Sequence, residues 1–196
     1  MYSRKVFILA VIPLVFVTVL SAPIEESSEN DDIYRSALEN PDLFGGDIVL
    51  PESNNKFGLR SSYYRWPKNT IPYAISSDRM NLKQQIEKAM RHIEDKTCIR
   101  FVPHTTETDS IYIYNGPGCF SYMGRQGGKQ ALSLGSGCEP FGTISIMLYD
   151  SKSFSKNGKN TMTAKDSRIS LNPVWMKKYL SDSDILSINK MYNCDV

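Results

Sequence analysis

Four cysteines in a chain that opens like a secretory precursor set the tightest limit on this fold. Arg4 and Lys5 precede an apolar run from Val6 to Leu20, followed by the small residues Ser21 and Ala22. That order of charged, apolar and small residues is the layout of a signal peptide, with cleavage expected after Ser21. A membrane anchor is the competing reading. The run is shorter than the roughly 20 residues that span a bilayer, and Pro13 interrupts it. In an oxidising compartment Cys98, Cys119, Cys138 and Cys194 are disulfide partners rather than free thiols. Three pairings are open. A nested one, Cys98–Cys194 around Cys119–Cys138, closes one short loop and one nearly as long as the domain. Chain-entropy reasoning assigns such loops about 3 and about 4.7 kcal/mol, as upper estimates.

Charge divides what remains. Residues 22–60 hold nine acidic and three basic side chains, 3 − 9 = −6, whereas residues 61–196 hold eighteen basic and twelve acidic, 18 − 12 = +6. An acidic leader ahead of a basic body fits a prosegment lying on its own domain, since opposite fields favour docking. At the start of that leader Glu25, Glu26, Glu29, Asp31 and Asp32 offer little to bury, so residues 22–32 read as a solvated, disordered tail. The polar stretch at residues 51–56 and Arg60 after it mark a processing site. The organisation expected is therefore a signal peptide at 1–21, a prosegment at 22–60 and a domain at 61–196. The scattered lysines of the body are no nucleic-acid signal, and no later stretch is apolar enough to span a membrane.

Within the body, residues 70–75 (Thr-Ile-Pro-Tyr-Ala-Ile) read as a strand, with Pro72 suggesting a sheet edge. Asn81 and Gln84 form a capping-box pair opening a helix with Leu82, Ile86, Ala89, Met90 and Ile93 on its apolar side. Residues 99–102, 111–114 and 130–134 read as further strands separated by glycine-rich turns. A last helix begins at the pair Ser181 and Asp184 and buries Ile185, Ile188 and Tyr192.

Several segments then resemble one family in order and spacing. They are Arg65-Trp66-Pro67 with residues 70–73, Ile93-Glu94 with residues 97–103, and residues 119–125 and 127–138. The series ends with Ser145-Ile146-Met147 with Tyr149, and with Leu180-Ser181, Asp184-Ile185, Ile188-Asn189, Tyr192 and Cys194. Together they resemble the astacin family of secreted zinc metalloendopeptidases. The resemblance implies an α+β domain: a mixed twisted sheet, a helix on its N-terminal side and a C-terminal helix. It implies disulfides Cys119–Cys138 and Cys98–Cys194, zinc as the family's cofactor, and protein or peptide substrates. Phe44-Gly45-Gly46-Asp47 is similar to the family's latency motif, in which the aspartate occupies the zinc. Met147 matches the Met-turn, and Tyr149 the tyrosine that can ligate zinc and steady the transition state.

The metal's seat is absent from the sequence. Catalysis in such enzymes needs H-E-x-x-H-x-x-G-x-x-H ahead of the Met-turn, giving zinc three nitrogen donors and an open position. This chain has only two histidines, His92 and His104, and neither lies in such a motif. At residues 142–149 the lead-in to the expected helix runs straight into the Met-turn, and Leu148 stands where a histidine is usual. No G-x-S-x-G elbow or cysteine nucleophile replaces the lost chemistry. The expectation is an astacin relative without catalytic metal, arising as a shortened splice form or an incomplete gene model. Two further readings are a non-catalytic binding or dominant-negative module and residual activity at a different metal site. By the same resemblance, loss of the helix uncovers one face of the sheet, an apolar patch that invites aggregation. Residues 143–149 alternate well enough to be read as a strand across the join.

Overall fold

The computed structural model describes residues 27–50, 62–138, 149–177 and 179–195. The signal-peptide reading, Arg60, Met147 and the strand reading of residues 143–148 lie outside them. At the middle of the body is β2 (Thr70–Ile75), paired in parallel with a strand on either side. Its neighbour β3 (Arg100–Pro103) is reached through the helix α2 (Lys83–Lys96), since parallel strands need a crossover of about a dozen residues or more. On the other side β4 (Ser110–Tyr114) pairs in parallel with β6 (Lys129–Leu134), and β5 (Cys119–Tyr122) runs antiparallel to β6. Ahead of the body a two-residue strand, β1 (Ile48–Val49), runs parallel to β5. The result is a mixed six-stranded sheet in the order β1-β5-β6-β4-β2-β3. With α1 (Ser27–Leu38) and α3 (Asp182–Tyr192) it has the α+β class expected from sequence.

Alternation along the strands decides which face is buried. Ile111 and Ile113 of β4 and Leu132 and Leu134 of β6 share one face, where they meet Leu82, Ile86 and Met90 from the α2 side. Ala37 and Leu38, at the end of α1, and Val174 complete this core. A second, smaller core joins Trp66, Ile71 and Ile99 to Ile188 and Tyr192 of α3. The stripe expected on α3 is thus used, but its residues are only half-buried.

Local chemistry explains several of the segments that carried the resemblance. The Glu94 carboxylate accepts from the Phe101 backbone N–H at 2.7 Å, tying α2 to the strand that follows. The Thr97 hydroxyl donates to the Ile93 carbonyl at 2.8 Å and accepts from the Ile99 N–H at 3.1 Å, so it shapes the turn between them. Asp109 accepts from Arg125 at 2.6 Å and from the Gly128 N–H at 2.7 Å. Arg125 also donates to the Tyr63 and Arg65 carbonyls, at 2.6 and 3.2 Å, fastening the start of the body to the β5–β6 turn. Both nested disulfides are formed, and no cysteine is free. Ser181 and Asp184 make the reciprocal capping box expected of them.

Three expectations are corrected. Pro72 does not sit on an edge strand, because β2 lies between β3 and β4. The β4 ladder begins only at Tyr73, opposite Ile111, so the N–H that proline lacks falls just before that pairing starts. Asn81 does not cap α2. A 3-10 turn over Ser77–Leu82 runs directly into the helix, and the Lys83 N–H is satisfied by the Met80 carbonyl, leaving no cap for a side chain to fill. Residues 27–32, read from sequence as part of a disordered tail, belong to α1. The far end of that helix, Ala37-Leu38, is anchored in the core and carries the rest.

Candidate functional site

Asp47 and Tyr149, separated by about half the chain, come together. Asp47 is the last residue of a tight turn, residues 45–47, that Phe44 and Ile48 close by exchanging backbone hydrogen bonds, each at 3.1 Å. The Asp47 carbonyl accepts from the Ser121 N–H at 3.0 Å, and the Val49 carbonyl from the Met123 N–H at 3.1 Å. This pairing fixes the Asp47 backbone at the β5 edge, with its carboxyl beside Tyr149. The Tyr149 ring meets Phe154 edge to face, with centroids 5.4 Å apart. Its hydroxyl is buried and completes no hydrogen bond of ordinary geometry among the described residues.

The electrostatics of this pair oppose ionisation. Burial pushes the Asp47 carboxyl up despite the neighbouring Tyr149 hydroxyl, which acts the other way. Burial and then the Asp47 charge push the Tyr149 phenol far above its ordinary range. A carboxyl raised by folding makes its stabilising contribution below its unfolded value, and that contribution is lost as pH rises through the folded value. Asp47→Asn removes the loss. The expected result is a melting temperature unchanged at about pH 3 and raised at about pH 7, read by circular dichroism at both pH values. A lower melting temperature at neutral pH would contradict this account of the pair.

The described residues do not offer a catalytic zinc its donor set. Among the described residues no group of three or more His, Cys, Asp or Glu side chains converges as a metal site. Both histidines of the chain lie within those residues, and both are engaged elsewhere. His92 Nε2 accepts from the Leu180 N–H at 3.2 Å, with Tyr179 against its ring, and His104 Nε2 lies 2.9 Å from the Glu107 carbonyl. All four cysteines are in disulfides. Asp47 and Tyr149 alone offer one carboxyl and one phenol in a site that resists charging them, which is the wrong donor set for zinc.

Beside this pair lies an ion pair that sequence reasoning missed. Arg35 of α1 donates to both Asp150 oxygens, at 3.1 and 2.9 Å, and its guanidinium stands 5.2 Å from the Trp175 ring centroid. Burial pushes the Asp150 carboxyl up, but the Arg35 hydrogen bonds outweigh it, with help from the Lys152 N–H, and hold it below the usual range. Asp150 is only 2% exposed. The charges run opposite to the overall fields, with a cation of the acidic leader meeting an anion of the basic body. One signal was available: Arg35 is the lone basic residue between Ala22 and Lys56.

Comparison with known proteins places this framework. The peptidase family described as Astacin matches residues 58–145 and again residues 140–193, so the two matched pieces share residues 140–145. Zinc metalloproteinase nas-7 of Caenorhabditis elegans is 32% identical over an alignment of 248 residues, covering 91% of this chain and 64% of that protein. That alignment is longer than the chain by 248 − 196 = 52 positions. Astacin-like metalloprotease toxin 1 of Loxosceles intermedia is 31% identical over 216 residues, covering 80% of this chain and 81% of that protein. Among solved structures, high choriolytic enzyme 1, a hatching enzyme zinc-protease from Oryzias latipes, is 25% identical, with a TM-score of 0.48 over 66% of this chain and 93% of that one. Matched over most of its body by one family description and aligned with relatives through most of its length, this chain belongs to the astacin family.

Proposed function

We propose that this chain is a secreted member of the zinc metalloendopeptidase lineage that holds no catalytic zinc and hydrolyses no peptide bond. The observation that carries the reading is the donor set. Zinc catalysis needs three protein ligands, a water and a general base. The only two histidines here are committed to the Leu180 N–H and the Glu107 carbonyl. The join at residues 142–149 supports the same reading, because the two family matches overlap at residues 140–145 instead of leaving room between them for a helix. So does the alignment with nas-7, in which at least 52 positions of the relative meet no residue of this chain.

On this reading Asp47 no longer serves as a removable zinc ligand, Met147 supports no metal, and Tyr149 has no oxyanion to steady. Protein or peptide substrates belong to the family and are not turned over here. A binding or dominant-negative role would use the free edge of β5, but β1 of the same chain already pairs with it.

The transcript provides the first test. Sequencing across the codons for Ile144 and Ser145 is expected to give them as direct neighbours. An intervening H-E-x-x-H-x-x-G-x-x-H segment would overturn the reading and restore a peptidase. A purified chain cleaved after Arg60 is likewise expected to leave a quenched peptide library uncut.

A further inference from the structure

We propose that the body carries a fitted seat for α1 and β1, and that cutting the chain after Arg60 leaves this segment bound as a permanent part of the fold. Three kinds of contact converge on the seat. The first is steric fit. Gly118 and Gly137 flank the two ends of the Cys119–Cys138 disulfide, and both lie against Ala37. A Cβ on Gly118 would come within 2.8 Å of the Ala37 carbonyl oxygen. One on Gly137 would come within 3.0 Å of the Ala37 Cβ and 3.1 Å of the Ile33 carbonyl oxygen. Any side chain at either glycine would push α1 away, so the disulfide loop presents a notch shaped to the helix backbone.

The second contact is burial. Ala37 and Leu38 belong to the same apolar cluster as Ile113, Leu134 and both cysteines of that disulfide. Removing the segment would open this core to water. The third is polar and reaches both ends of the segment. Arg35 neutralises the buried Asp150, whose remaining partners are the Lys152 N–H and the Ser153 hydroxyl. Some twelve residues on, β1 occupies the β5 edge through the Ser121 and Met123 N–H groups. Release would therefore expose apolar surface, strand a carboxylate and open a sheet edge at once.

The consequence is an edge that processing does not free. It separates cleavage after Arg60 from opening of the β5 strand, whatever the state of the metal site. The test uses the chain from residue 22, with a recognition sequence for a site-specific protease in place of residues 55–60. After complete cutting, native gel filtration is expected to return both fragments in one peak at one-to-one ratio, at low salt and at about 1 M salt, where exposed charge pairs are screened. Arg35→Ala in the same chain is expected to release the fragment about tenfold faster, the loss of about 1.4 kcal/mol of holding free energy. Elution of the wild-type fragment apart from the body at either salt concentration would overturn the proposal. If Arg35→Ala does not fold, the two-salt elution of the wild-type chain still decides.

Discussion

Replacing Cys98 and Cys194 together by serine is expected to cost about 3–5 kcal/mol of stability and to drop the melting temperature by roughly ten degrees or more. The pair joins the end of α2 to the chain's last turn across 96 residues. Without it α3 is held by Ile188 and Tyr192 against the small core, the Arg65 hydrogen bond to the Met191 carbonyl at 2.7 Å, and a longer contact from the Trp66 N–H to the Tyr192 hydroxyl. None of the α3 residues is fully buried, so packing alone holds this helix weakly. The matching change at Cys119 and Cys138 is expected to cost less globally, because that loop spans 19 residues. Thermal unfolding of both double mutants, with the wild type, checks the order. A Cys98/Cys194 mutant as stable as the wild type would show that α3 needs no staple.

The second large effect is expected in the leader. Leu38→Ala removes a side chain that is 6% exposed and packs in the main core. Truncations of this kind cost about 2–5 kcal/mol, depending on how far the site collapses. Ile113, at 2% exposed on the central face of the sheet, sets the comparison. Leu38→Ala is expected to lose nearly as much as Ile113→Ala, in the same single cooperative transition. A leader that merely lay on a finished domain would give a different result: Leu38→Ala would leave the main transition in place, and urea melts of the two mutants would separate clearly.

Much of the body is legible in the sequence because its signals are local. The Ser181–Asp184 box lies within one helical turn, and the runs that become β4 and β6 are set apart by the glycine-rich stretch between them. The cysteine pairing follows from the family resemblance. The misreadings share a physical cause, dependence on partners distant in the chain. A missing N–H points Pro72 toward a sheet edge, yet only the start of the β4 ladder at Tyr73 decides whether that N–H is wanted. Residues 27–32 read as tail because of their acidic composition, whereas the helix they open is held at Ala37 and Leu38. Arg35 and Asp150 are 115 residues apart, and no periodicity connects them. Asp47 and Tyr149 each stand out by resemblance to zinc-site residues. Their contact with one another, in a pocket that disfavours charge on either, needs the fold.

The same contact gives the central claim its physical form. By the family resemblance a carboxylate or a tyrosine at these positions would serve as a zinc ligand, and a bound metal would favour the charged form of either. Here burial raises the pKa of both groups, and both histidines of the chain serve the backbone instead. The most direct measurement is the metal content of the purified chain from residue 22, oxidised, equilibrated with a slight excess of zinc and desalted before elemental analysis. The account predicts zinc far below one atom per chain and a melting temperature unmoved by a chelator. One zinc retained per chain, removed by the chelator with a loss of stability, would contradict it.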